Sequence, residues 1–133
     1  MTMKKLTKIS TLALAVILTS SVAFANDDPN SKLVEKAKTA VSNADESDWE
    51  TLAQSSEICF IKGENIEEAL VWIDRSIAIK ETSYNLEVKA DYLSKVSRDK
   101  EAMKLYYQAL LITKEINPQA NTENLQQKIW NLR

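Results

Sequence analysis

Glu67-Glu68-Ala69-Leu70-Val71-Trp72-Ile73-Asp74-Arg75-Ser76-Ile77 is the stretch that settles the fold. With Ile66 just before it, its apolar residues Ala69, Leu70, Trp72, Ile73 and Ile77 recur at helical spacing, the repeat of an α-helix and not of a strand. Together with Ile79 they cover more than one narrow stripe, so the helix, expected over about Asn65 to Lys80, is covered on two sides.

The same spacing extends in both directions, interrupted by short polar breaks. Upstream, Ser47-Asp48-Trp49-Glu50 reads as a capping box opening a helix that runs to Lys62, where Gly63 supplies the left-handed closing residue. Before it, a helix from about Ser31 to Asn43 is expected to align Leu33, Ala37, Ala40, Val41 and Ala44. Downstream, Thr82-Ser83 opens a helix with Leu86, Ala90, Leu93 and Val96 on one line. Ser97-Arg98-Asp99 breaks it, and a fifth helix reaches about Glu115 before Pro118. A last short helix, Thr122 to Leu132, sets Leu125, Ile129, Trp130 and Leu132 on one face. One glycine and two prolines in 133 residues argue further against a turn-rich β fold. The expectation is an all-α chain.

The N-terminus is a separate segment. Lys4, Lys5 and Lys8 precede a mostly apolar run, Ile9 to Phe24, that ends in Ala23-Phe24-Ala25 and passes into polar Asn26-Asp27-Asp28-Pro29. Basic start, apolar middle and small-x-small end are the features of a secretory signal peptide. Residues 1–25 are therefore read as a signal cleaved near Ala25, 26–30 as a polar leader and 31–133 as the helical domain, exported to the periplasm or secreted. Retention of the segment as an anchor is the alternative. Removing 25 of 133 residues leaves 108, one small domain. Three of the seventeen bases leave with the signal and all nineteen acids remain, for a net charge of −5. Such a balance offers no electrostatic footprint for nucleic acid or an anionic membrane surface.

Composition removes several chemistries. The chain has no histidine, which excludes Ser-His-Asp and Cys-His nucleophile activation and His-containing zinc sites. The single Gly63 excludes phosphate-cradling glycine loops. Cys59 is alone in Ile58-Cys59-Phe60-Ile61 and reads as a small buried hydrophobe. The acids Asp45, Glu46, Asp48 and Glu50 lack the alternating pattern and glycine of a calcium loop and suit a helix N-terminus. Glu87 and Asp91, one helical turn apart, form a carboxylate pair with no nucleophile or metal set to join it. No enzyme, cofactor or metal is expected.

Sliding the sequence along itself until Phe60 meets Leu93 also places Lys62 on Lys95, Glu68-Ala69 on Glu101-Ala102, and Ile73 on Tyr106. With these lines of small and large residues, Ala69, Ile73, Ser76 and Ala102, Tyr106, Ala109, the sequence resembles the tetratricopeptide repeat. The resemblance covers about residues 48 to 115, with units near 48–80 and 83–115, and helix 122–132 as a cap. In the opening helix of each unit, Ala90 and Leu93 fit the family pattern. Glu57 before Phe60 departs from it, and an in-phase alternative starts from Trp49, Leu52 and Ala53. The Glu67 to Ile77 stretch also looks like helical tails of some larger exported bacterial proteins.

The resemblance implies a right-handed solenoid whose concave face binds an extended peptide or helix. Carried over by position, that face presents Gln54, Ile58, Ile61 and Lys62 from one unit and Glu87, Asp91, Ser94 and Lys95 from the next, with the two lysines at equivalent places. Gln54 and Ile58 stand where carboxylate-gripping members have Lys and Asn, so binding of a chaperone's C-terminal tail is not implied. The function expected is a protein–protein interaction module, adaptor or assembly factor, for an envelope partner. A homodimer is compatible with so short an array. The alternative is a self-associating or anchored structural subunit, working through Trp72, Trp130 and the Tyr106-Tyr107 pair.

Overall fold

The computed structural model describes residues 28–133; the expected signal segment and residues 26 and 27 lie outside them. The described residues form six α-helices and no strand: α1 (Pro29–Asn43), α2 (Trp49–Lys62), α3 (Ile66–Ile79), α4 (Ser83–Lys95), α5 (Asp99–Ile116) and α6 (Glu123–Asn131). None is long and apolar enough to cross a membrane.

The helix ends follow local chemistry. Pro29 begins α1, a position where its missing N–H costs nothing. At α2 the cap is Asp48, not the expected Ser47: its carboxylate accepts from the Thr51 N–H at 2.9 Å. That bond holds the Asp48 carboxyl below its ordinary value. Gly63 closes α2 at φ +71°, with its N–H on the Cys59 carbonyl at 2.8 Å. The box pairing expected at Ser47 occurs instead at α4, where Thr82 accepts from the Asn85 N–H and the Asn85 side chain accepts from the Thr82 N–H.

Each helix packs on its chain neighbours, and α2 also packs on α4. Two buried clusters result. One gathers Val34, Ala53, Cys59, Phe60, Ala69, Ile73 and Val88. The other gathers Leu86, Ala90, Leu93, Ala102, Tyr106, Ala109, Leu125 and Ile129, and half-buried Ile77 touches both. On α1 the buried residues are Val34 and Ala37, whereas Leu33 and Ala40 face outward. Ala37 keeps its expected place and Val41 and Ala44 are half-buried, while Val34 packs inward in place of its neighbour Leu33.

The phase of the two helix pairs also differs from the expected alignment in one half. Helices α3 and α5, starting at Ile66 and Asp99, keep the register that sets Phe60 on Leu93. Helices α2 and α4 start at Trp49 and Ser83, one position further apart. In the register that sets Trp49 on Ser83, Leu52 meets Leu86, Ser56 meets Ala90 and Cys59 meets Leu93, all deeply buried. Ser56, not Glu57, fills the small position of α2, and its hydroxyl donates to the Ala69 carbonyl of α3 at 3.0 Å. In the register of the helix starts Lys95 falls on Ile61, although Lys62 and Lys95 are both the last residues of their helices.

Candidate partner-binding cleft

Where α2 and α4 run beside each other, Phe60 and Tyr92 stack with ring centroids 4.4 Å apart and planes 20° from parallel. The contact ties the helices together and leaves aromatic surface at the base of a cleft of about 310 Å³. Val88 and Ile61 extend its apolar wall, Ile61 being 67% exposed. The polar rim consists of Glu57, Asp91 and Lys95.

Each rim group is held by a defined partner. The Lys95 ammonium donates to the Phe60 carbonyl at 3.0 Å, in the last turn of α2, where the helix dipole favours a cation. Glu57 accepts from the Tyr84 hydroxyl at 2.6 Å. Asp91 accepts from the Tyr106 hydroxyl at 2.6 Å and from the Lys128 ammonium of α6 at 2.8 and 2.9 Å. Lys128 also reaches Glu87 at 2.6 Å. Burial, followed by the adjoining carboxylates Glu57 and Asp91, pushes the phenols of Tyr84 and Tyr106 well above their ordinary value. Burial alone would lower the Lys128 value, but its bonds and attraction to Asp91 and Glu87 outweigh it, and the net shift is upward.

The eight residues expected to form one face are therefore divided. Ile61, Asp91 and Lys95 line the cleft, and Glu87 adjoins it through Lys128. Gln54 is exposed farther along α2 and donates to Glu50. Ile58 is half-buried against the first cluster, and half-buried Ser94 neighbours the Tyr106 hydroxyl. Lys62 is not among the lining residues. Glu57, Phe60, Val88 and Tyr92 complete the cleft and lie outside the expected face. Glu57 falls on Asp91 once Trp49 is set on Ser83, so that register is the sequence signal that finds it.

Cys59 is fully buried, and burial raises its thiol value, which disfavours the reactive thiolate. The carboxylate pair Glu87 and Asp91 is engaged by Lys128. A larger hollow of about 810 Å³ lies along α6, but a single helix supplies all its walls, from Glu123 to Asn131, so it is open surface. No protein-family model matches this chain, and no curated protein or solved structure matches it significantly.

Proposed function

We propose that the chain is an exported protein-binding module without catalytic activity. In this reading it is a short tetratricopeptide-type array, with α2–α3 and α4–α5 as two units and α6 as the cap. Support for the repeat comes from the burial of both small-large-small lines, Ala69, Ile73, Ser76 and Ala102, Tyr106, Ala109. The packing of α2 on α4 as well as on α3 is what stacked units require. The observation that carries the binding role is the α2–α4 cleft itself, an aromatic base beside an exposed isoleucine with charges only at the rim. That is the composition of a contact surface, an apolar centre with a polar edge.

Affinity capture from an envelope extract after mild cross-linking tests the reading, with the chain and its Ile61→Asn variant side by side. Ile61 is largely exposed, so the substitution spares the core, and being neutral it favours neither sign of partner charge. The expected result is one reproducible protein partner whose recovery falls about tenfold in the variant. Undiminished recovery would reject the cleft. Intact mass of the exported protein tests the localisation: loss of residues 1–25 is expected, and their retention would favour an anchored form.

A second reading, self-association as a structural subunit, is favoured by the exposure of Trp130 at 66%, Leu111 at 68% and Val71 at 65%. Sedimentation equilibrium separates the two. A concentration-dependent dimer abolished by Trp130→Ser, with no foreign protein captured, would replace the interaction-module reading.

A further inference from the structure

Glu57 and Asp91 occupy matching places on α2 and α4, because the register that sets Trp49 on Ser83 also sets one carboxylate on the other. Each accepts a phenol hydrogen bond of 2.6 Å, from Tyr84 and Tyr106 respectively. At Asp91 the chain supplies a cation of its own, Lys128 from α6. At Glu57 it supplies none: among the described residues Tyr84 is the only side chain bonded to it. The nearest cation of the cleft, Lys95, donates instead to the Phe60 carbonyl.

A half-buried carboxylate fixed by a phenol, with no cation bonded to it, gains from an ammonium or guanidinium that brings both charge and donors. Half-buried Tyr92, the more open of the two stacked rings, lines the same cleft and adds apolar surface beside that contact. From these contacts we infer that the cleft takes an extended peptide through a Lys or Arg side chain set on Glu57, as Lys128 is set on Asp91. An adjoining apolar side chain of the peptide lies on Phe60, Tyr92 and Ile61. This inference rests on the interaction-module reading and adds the chemistry of the partner.

The test is a titration of the nitrogen-15-labelled chain, followed by amide chemical shifts, with two acetylated and amidated pentapeptides. One is Ala-Leu-Arg-Leu-Ala, and the other carries citrulline, the uncharged isostere, in place of arginine. The arginine peptide is expected to shift the amides of Phe60, Ile61 and Tyr92 and to bind at least about tenfold more tightly than the citrulline peptide. Glu57→Gln keeps an acceptor for the Tyr84 hydroxyl and should abolish the difference. Glu50→Gln, which removes an exposed acid nearer the start of α2, should leave it intact. Equal affinities, no binding of either peptide, or an arginine preference that survives Glu57→Gln would overturn the assignment. The two readings fail separately: if Ile61→Asn still reduces partner recovery, only the cation contact is wrong, and if it does not, the cleft itself is not the binding surface.

Discussion

Asn85 is fully buried, and its whole side chain is satisfied within the fold. Its amide nitrogen donates to Ser76 Oγ at 3.1 Å and to the Lys80 carbonyl at 2.8 Å, while its oxygen accepts from the Thr82 N–H at 2.9 Å. Ser76 passes the connection on, donating to the Trp49 carbonyl at 2.7 Å, so one asparagine joins α4 to α3 and through it to α2. Asn85→Ala removes half of the capping box and leaves buried partners unpaired. A loss of about 2–3 kcal/mol in urea unfolding is expected, well beyond that of an ordinary cap. The start of α4 at Thr82-Ser83 was legible because capping signals are local. The bond to Ser76 was not, since nothing in the sequence separates a cap that faces water from one that faces a neighbouring helix. For the same reason the Tyr84–Glu57 contact, between residues far apart in the chain, was invisible before the helices were placed.

At the level of the helices, Gly63 and Ser97 end α2 and α4 at equivalent left-handed positions, φ +71° and +62°. A methyl group at Gly63 would meet nothing within 4 Å, so the cost of a side chain there is purely one of backbone conformation. Gly63→Ala should therefore lower stability by about 1 kcal/mol, and Ser97→Gly should raise it by a similar or smaller amount. Thermal unfolding of the two variants checks both signs; a stabilising Gly63→Ala would refute the backbone argument. Helix existence was legible throughout because Gly63, Pro118 and the polar breaks punctuate strong apolar periodicity. Facing direction was less so. On α1, Leu33 and Val34 are adjacent apolar residues, and only packing on α2 decides which of them turns inward. The phase of α2 was hidden in the same way: Ser56 and Glu57 sit side by side, and the requirement for close approach to Ala69, unseen in one dimension, selects the smaller.

Across the whole molecule, the two tyrosine–carboxylate pairs impose a common pH response. Both phenols have folded-state values raised above their ordinary value near 10. A group raised on folding contributes stability that is complete below its unfolded value and is lost as pH climbs toward its folded one. Lys128, also raised, acts in the same direction above its ordinary value of 10.5. The protein should accordingly lose stability progressively above about pH 10, and Tyr84→Phe with Tyr106→Phe should flatten that decline when urea midpoints are compared between pH 8 and 11. An unchanged slope in the double variant would show that the phenols are not its source. The all-helical architecture was legible from periodicity alone; the cleft was legible only in Ile61, Asp91 and Lys95, because its remaining walls arise from the lateral meeting of α2 and α4. Asp91 belongs to two neighbourhoods, the rim of the cleft and, through Lys128, the seat of α6. Were the proposed peptide to compete with Lys128 for Asp91, the seat of α6 would be weakened and, by reciprocity, a firmly seated α6 would disfavour that contact. In that case the exchange of α6 amide hydrogens would quicken when the peptide of the proposal is added, and an unchanged rate would separate the last helix from the cleft.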